Sequence, residues 1–252
     1  MAKNSAPLAG RTALITGAAH RLGAAMARKL HGAGARVVIH YRSGAEQAQQ
    51  LAEALQRDRA GSVALVQADL LDLELLPQII ATAAAPDDKL DILVNNASTF
   101  YPTPFGSIDE QQFADLVGTN LRAPLFLSQA AAPLLRASKG LILNIVDIHG
   151  MRPLRNYPVY SIAKAGLIAL TRSLARELGP EIRVNAIAPG PVLWPEDDGP
   201  DESERESIIQ RTALKRAGDP DDIAKACLYF ATSADYVTGQ VLAVDGGRSV
   251  GW

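Results

Sequence analysis

The stretch Thr16-Gly17-Ala18-Ala19-His20-Arg21-Leu22-Gly23 lies between a β-rich run, Arg11 to Ile15, and a longer stretch of helical character. Strand, glycine turn and helix in that order place backbone N–H groups and the positive end of a helix dipole where a pyrophosphate can be held. Gly17 permits the turn, and Gly23 lets the helix pack closely against it. A glycine turn alone would be weak evidence. Its position between strand and helix is what favours dinucleotide binding.

Outward from this turn, further β-rich runs span Arg36 to Tyr41, Ser62 to Gln67, Asp91 to Asn95, Leu141 to Val146, Arg183 to Ile187 and Val241 to Val244, alternating with helical stretches. Parallel neighbours need crossover connections, and these are right-handed, so helices must cover both faces of one twisted sheet. The expected fold is doubly wound α/β with a seven-stranded parallel sheet. Gly32 and Gly34 close the first helix, Gly179-Pro180 stops the long helix after Tyr160, and Asp219-Pro220 opens the last. Residues 1–252 read as one domain with a substrate loop or lid over about 191–213. Within it, Pro195 to Glu206 is rich in Pro, Asp, Glu and Ser, a solvated loop or a mobile lid at the carboxyl end of a strand.

Composition narrows the function classes. Hydrophobic residues at 48% against 21% charged supply a large core. The 25 basic and 27 acidic residues are spread along the chain without a basic block that could follow a phosphate backbone, so no nucleic-acid partner is expected. Cys227 is the only cysteine and sits in an apolar helical setting, so it reads as a buried structural thiol. Met1 to Gly10 carries no signal core, and no apolar run is long enough to span a bilayer. The expectation is a cytoplasmic protein with no membrane partner, and the chemistry below calls for no metal.

Where the second strand ends, an NAD site would place a carboxylate for the adenosine ribose. This chain has His40-Tyr41-Arg42-Ser43 there. Arg42 offers a planar fork to a 2′-phosphate, Ser43 adds a hydroxyl, and no acid repels the phosphate, so NADP(H) is expected over NAD(H). Asp69, after the third strand, is either an acceptor for the adenine amino group or a helix cap ahead of Asp72 and Leu73.

Tyr160 and Lys164 stand one helical turn apart, Asp147 ends one apolar strand, and Asn95-Asn96-Ala97-Ser98-Thr99-Phe100 ends another. A phenol with a pKa near 10 gives up its proton slowly at neutrality unless a cation favours phenolate, and Lys164 could supply that field.

With Thr16 to Gly23, Asn95-Asn96-Ala97, Asn120, Tyr160 with Lys164, Pro189-Gly190 and Val244-Asp245-Gly246-Gly247 in this order, the sequence resembles the short-chain dehydrogenase/reductase family over nearly its whole length. The resemblance implies a Rossmann-type fold, with Tyr160 as proton donor, Lys164 lowering its pKa and holding the nicotinamide ribose, and Asn120 supporting a proton relay. Two departures stand out: Arg21 replaces the usual middle glycine, and Asp147 takes the place of the usual serine. An ionised aspartate opposes negative charge developing on a carbonyl oxygen, which disfavours simple ketone reduction. It suits reduction of a carbon–nitrogen double bond instead.

These departures, with Asn96 to Pro104 and His40 to Ser43, resemble the pteridine reductase branch. That resemblance implies that Phe100 stacks on a pterin, that Arg21 and Ser98 orient it, and that Asp147 with Tyr160 completes the proton path. The expected cofactor set is Gly17, His20, Arg21, Leu22, Gly23, His40, Tyr41, Arg42, Ser43, Asp69, Leu70, Asn96, Ala97, Ser98, Tyr160, Lys164, Pro189, Gly190 and Val192. The expected substrate set is Arg21, Ser98, Phe100, Asp147, Tyr160, Pro191 and Trp194, where Trp194 either covers the ligand or seals the hinge of the lid. The family also implies a homotetramer joined in part through the helix Val159 to Leu178.

The function expected is NADPH-dependent reduction of a dihydropteridine, pterin or folate. A carbonyl or 3-oxoacyl reductase and an NADPH-binding regulatory protein are the alternatives. Arg42→Ala should weaken NADPH binding far more than NADH binding in parallel titrations; equal losses would remove the argument for a 2′-phosphate site.

Overall fold

The computed structural model describes residues 6–194 and 201–251. Among them, β1 (Thr12–Ile15), β2 (Arg36–Tyr41), β3 (Val63–Gln67), β4 (Ile92–Asn95), β5 (Leu141–Ile145), β6 (Arg183–Pro189) and β7 (Val241–Val244) form one parallel sheet in the order β3-β2-β1-β4-β5-β6-β7. Every expected β run is a strand. From β1 the chain builds outward first through β2 and β3 and then, on the other side, from β4 to β7. The switch between β1 and β4 leaves a crevice at the carboxyl ends of the strands, where open sheets of this kind take their ligands.

Alternate residues of each strand face opposite sides of the sheet. Ala13, Ile15, Val37, Ile39, Val94 and Leu143 pack on one side with Met26 and Leu30 of α1 (Arg21–Gly32), Leu51 of α2 (Ala45–Asp58), and Cys227 and Phe230 of α8 (Pro220–Thr232). Leu14, Val38, Leu93, Ile142 and Val184 pack on the other side with Ile79 of α3 (Leu76–Ala84) and Leu127 and Leu135 of α5 (Ala123–Ser138). Burial on both faces explains why these strands read as nearly continuous apolar runs. The helix punctuation also holds: Gly34 sits at φ 107°, where a side chain would be strained, and Asp219 caps α8 by accepting from the Asp221 N–H at 2.7 Å.

One expectation needs correction. The acidic stretch, whose plain reading is a solvated loop, is partly helical, because Asp201 caps α7 (Glu202–Gln210), accepting from the Glu204 N–H at 2.8 Å while Glu204 accepts from the Asp201 N–H at 3.1 Å. The acidic residues form a capping box and a first turn that complement the helix dipole. Residues 195–200 of that stretch lie outside the described residues.

Buried polar side chains hold the strand ends in register. Asn95 Nδ2 donates to Asn144 Oδ1 at 2.8 Å, and Asn144 Nδ2 donates to Thr171 Oγ1 at 2.9 Å, linking β4 and β5 to α6 (Pro158–Leu178). Thr16 Oγ1 accepts from the N–H groups of Asn96 and Ala97 at 2.9 and 3.0 Å, and Asn96 Nδ2 donates to the carbonyls of Thr16 and Gly17 at 2.8 and 3.0 Å. Such groups, once desolvated, are costly to leave unpaired, so each bond fixes its neighbours.

His40 completes the brace. Its Nδ1 accepts from the Gly17 N–H at 3.2 Å, so Nε2 carries the proton and donates to the Ala68 carbonyl at 3.2 Å. Burial pushes its pKa down to about 4, against the pull of the Ala68 carbonyl and of Asp69. The imidazole is therefore a neutral strut under the glycine turn and supplies no charge to a phosphate. Unfolded, it takes up a proton near 6.5. The folded state binds fewer protons between these values, so the contribution of His40 to stability is complete above pH 6.5 and is lost as the pH falls toward 4. Between about pH 7.5 and about pH 4.5, His40→Asn should lose about 2 kcal/mol less stability in urea unfolding than the parent protein. Equal acid losses would show that His40 titrates normally.

Candidate active site

A cleft of about 280 Å³ opens at the carboxyl ends of β1, β2 and β4. Its walls include Gly17, His20, Arg21, Leu22, Gly23, His40, Tyr41, Arg42, Ser43, Asp69, Leu70, Asn96, Ala97 and Ser98, all expected from the sequence. The backbone here is shaped for close approach. A Cβ at Gly17 would stand 2.9 Å from the Ala97 Cα, and one at Gly23 would stand 2.7 Å from the Ala18 Cα and from Asn96 Nδ2. Neither position tolerates a side chain without displacing backbone, which fits a turn whose N–H groups meet a phosphate. Arg42 and Ser43 are exposed at the rim.

Thr119 was missed. Its hydroxyl is buried without a hydrogen-bond partner and the residue lines the same cleft, so a polar atom of a bound nucleotide would satisfy it. A threonine just ahead of Asn120 in an apolar helix carried no signal of its own; only the π turn Gly118–Arg122 brings it to the wall.

Asp69 lines the cleft and accepts from the Leu71 N–H at 2.9 Å. The cap it was weighed for belongs to Asp72, which accepts from the Glu74 N–H at 3.1 Å. Beyond β6, the Gly190 N–H donates to the Val244 carbonyl at 3.1 Å, and Pro189 pairs with Val244 in the sheet. The Pro191 carbonyl accepts from the Gly218 N–H at 2.9 Å. The Val192 side chain packs into the core cluster that includes Ile223, which leaves only its backbone to meet a cofactor.

Arg21 occupies the left-handed region at φ 54°, which glycine enters freely and other residues reach at a cost. Its guanidinium donates to the Trp194 carbonyl at 3.1 Å. The Trp194 ring lies 5.8 Å from the Arg205 guanidinium carbon on α7. The glycine turn, the segment after β6 and α7 are thereby joined through Trp194.

The reactive groups meet where β5 and α6 converge. The Tyr160 hydroxyl donates to Asp147 Oδ2 at 2.8 Å, and Asp147 Oδ1 accepts from the His149 N–H at 2.7 Å. Burial drives the Tyr160 pKa well above the ordinary phenol value; the Asp147 charge and hydrogen bond add to this, and the Ser98 hydroxyl opposes it. The net shift is therefore upward, despite the Lys164 ammonium expected to favour phenolate. Lys164 is itself buried, donates to the Ile145 carbonyl at 3.0 Å, and lies 5.6 Å from the Tyr160 ring centroid. Burial lowers its pKa to about 8, partly offset by Asp147.

Ser98 donates to Asn120 Oδ1 at 2.6 Å, and Asn120 Nδ2 donates to the Leu116 carbonyl at 2.9 Å. Phe100 is 40% exposed and presents its ring beside Tyr160, at 4.8 Å between centroids and 79° between planes. An acid, its carboxylate partner, a cation and a partly exposed aromatic ring thus lie together; none of the four lines the cleft itself, whose wall Ser98 shares. No helix among the described residues is long and apolar enough to cross a membrane.

Residues 17–249 match the family described as enoyl-(acyl carrier protein) reductase. Pteridine reductase 1 of Leishmania tarentolae is 34% identical over 278 aligned positions, covering 94% of this chain and 96% of that protein. An uncharacterized oxidoreductase of Mycobacterium tuberculosis is 37% identical, with 94% and 91% covered. A 3-oxoacyl-(acyl-carrier-protein) reductase of Staphylococcus aureus is 32% identical, with 94% and 97% covered. Likeness of this extent, on a parallel sheet wound from a glycine turn, shows that the chain belongs to the short-chain dehydrogenase/reductase family of oxidoreductases.

Proposed function

We propose that this oxidoreductase is an NADPH-dependent pteridine reductase, acting on a carbon–nitrogen double bond of a dihydropteridine or oxidised pterin to give the tetrahydro form. The observation that carries the reading is the part-buried Tyr160–Asp147 hydrogen bond of 2.8 Å beside the partly exposed ring of Phe100. The relative named pteridine reductase 1 supports it.

NADPH, when bound, supplies the hydride. Gly17, Gly23 and the rim residues Arg42 and Ser43 hold its phosphates, Asp69 and Thr119 face its adenosine end, and Lys164 addresses the nicotinamide ribose. As hydride adds to the ring carbon, the π pair of the C=N bond moves to nitrogen, and Tyr160 gives that nitrogen its proton. A phenol of raised pKa still serves, because a nitrogen receiving a full electron pair is far more basic than phenolate. Asp147 keeps the hydroxyl aimed, and Lys164 offsets the phenolate charge until Ser98 and Asn120 help return a proton.

The 3-oxoacyl reductase relative supports a carbonyl substrate instead. In that reaction negative charge grows on oxygen, and the Asp147 carboxylate would oppose it. The pterin reading takes residues 1–252 as a single cytoplasmic reductase domain with 191–213 as a lid. We also propose a homotetramer, supported by the exposed Phe113, Phe126 and Ile162 on α4 (Glu110–Val117), α5 and α6.

NADPH oxidation measured against dihydropterins, folates and simple carbonyl compounds should show turnover of a dihydropterin and little of the carbonyls. Tyr160→Phe should lower kcat by about a hundredfold or more. Phe100→Ala should mainly raise the pterin KM. Turnover of oxoacyl thioesters with none of pterins would select the other reading.

A further inference from the structure

Phe100 is held on one face by a second ring. The Tyr157 ring lies parallel to it, 4.6 Å between centroids and 10° between planes. Tyr157 immediately precedes α6, the helix that carries Tyr160, so the stack ties the ring of Phe100 to the same element as the acid. The two loops are pinned together at their backbones as well, the Thr103 N–H donating to the Asn156 carbonyl at 2.7 Å. Downstream, the Leu154 N–H donates to Ser161 Oγ at 3.1 Å, fixing the approach to α6.

An exposed phenylalanine on a loop would otherwise sample several rotamers and would have to be ordered by each incoming ligand. We infer that Tyr157 is a positioning residue that acts through Phe100, covering one of its faces so that the ring stays set for a planar heterocycle beside Tyr160. The inference rests on the pteridine reductase reading. Tyr157 makes no contact with Asp147 or Lys164 among the hydrogen bonds of the described residues, so its loss should weaken ligand capture and leave proton delivery to Tyr160 and Asp147.

The test is steady-state kinetics with dihydrobiopterin at saturating NADPH. Tyr157→Leu should raise KM about three- to tenfold with a much smaller change in kcat, the size expected for an aromatic pair. Tyr157→Phe should restore KM, and Tyr157→Leu should add nothing to Phe100→Ala, since both act through one ring. NADPH binding, followed by fluorescence, reports folding, and Tyr157→Met replaces Tyr157→Leu if that variant fails to bind it. An unchanged KM, a loss confined to kcat, or additivity with Phe100→Ala would overturn the role of Tyr157 alone. A parent protein that turns over no dihydropterin of the panel would overturn the functional reading and this inference with it, an outcome visible before any variant is made.

Discussion

A phenol and a carboxylate share one hydrogen bond, 2.8 Å long, between a buried Tyr160 and a half-buried Asp147, and the chemistry open to this protein depends on it. In water such a bond would compete with solvent and matter little. Desolvated, it fixes the Tyr160 hydroxyl in direction and charge state, because the nearby carboxylate penalises phenolate. A neutral hydrogen-bond donor at this place would favour a growing oxyanion, whereas a carboxylate opposes one.

The rest of the fold brings that pair to the cofactor. Asp147 lies two residues past β5, and the Asn95–Asn144–Thr171 chain fixes the end of β5 against β4 and against the helix that bears Tyr160. On the opposite side of the crevice, Thr16, Asn96 and His40 spend their polar atoms on the glycine turn. Both halves are therefore set by buried polar side chains at strand ends, and the apolar sheet between them fixes their separation. The cleft inherits its shape from this frame.

The strands were legible because residues buried on both faces leave apolar runs that no other element of such length requires. The lining of the cleft was legible because a glycine turn, a basic rim and an Asn-Asn-Ala strand end each carry a physical reason for their place. What escaped was set by contacts between distant segments. That His40 braces the glycine turn shows only in its two nitrogens, which are bonded to Gly17 and Ala68. Thr119 is unremarkable in the chain and faces the cleft only through the π turn, and Tyr157 gains its meaning from a ring more than fifty positions away. The net rise of the Tyr160 pKa was hidden for a similar reason: spacing on a helix puts two residues on one face but says nothing of how deeply either is buried. The acidic stretch was misread in part because a capping box and a solvated loop draw on the same residues.

The central claim concerns the state of one hydroxyl, and tyrosine labelled with carbon-13 at the hydroxyl-bearing ring carbon reads it directly. With the Tyr160 resonance assigned by Tyr160→Phe, the account predicts that in the ligand-free protein it stays in the phenol form beyond about pH 10, and that Asp147→Asn moves its titration downward. Ionisation of Tyr160 below the ordinary phenol range in the parent protein, or a titration indifferent to Asp147→Asn, would contradict it.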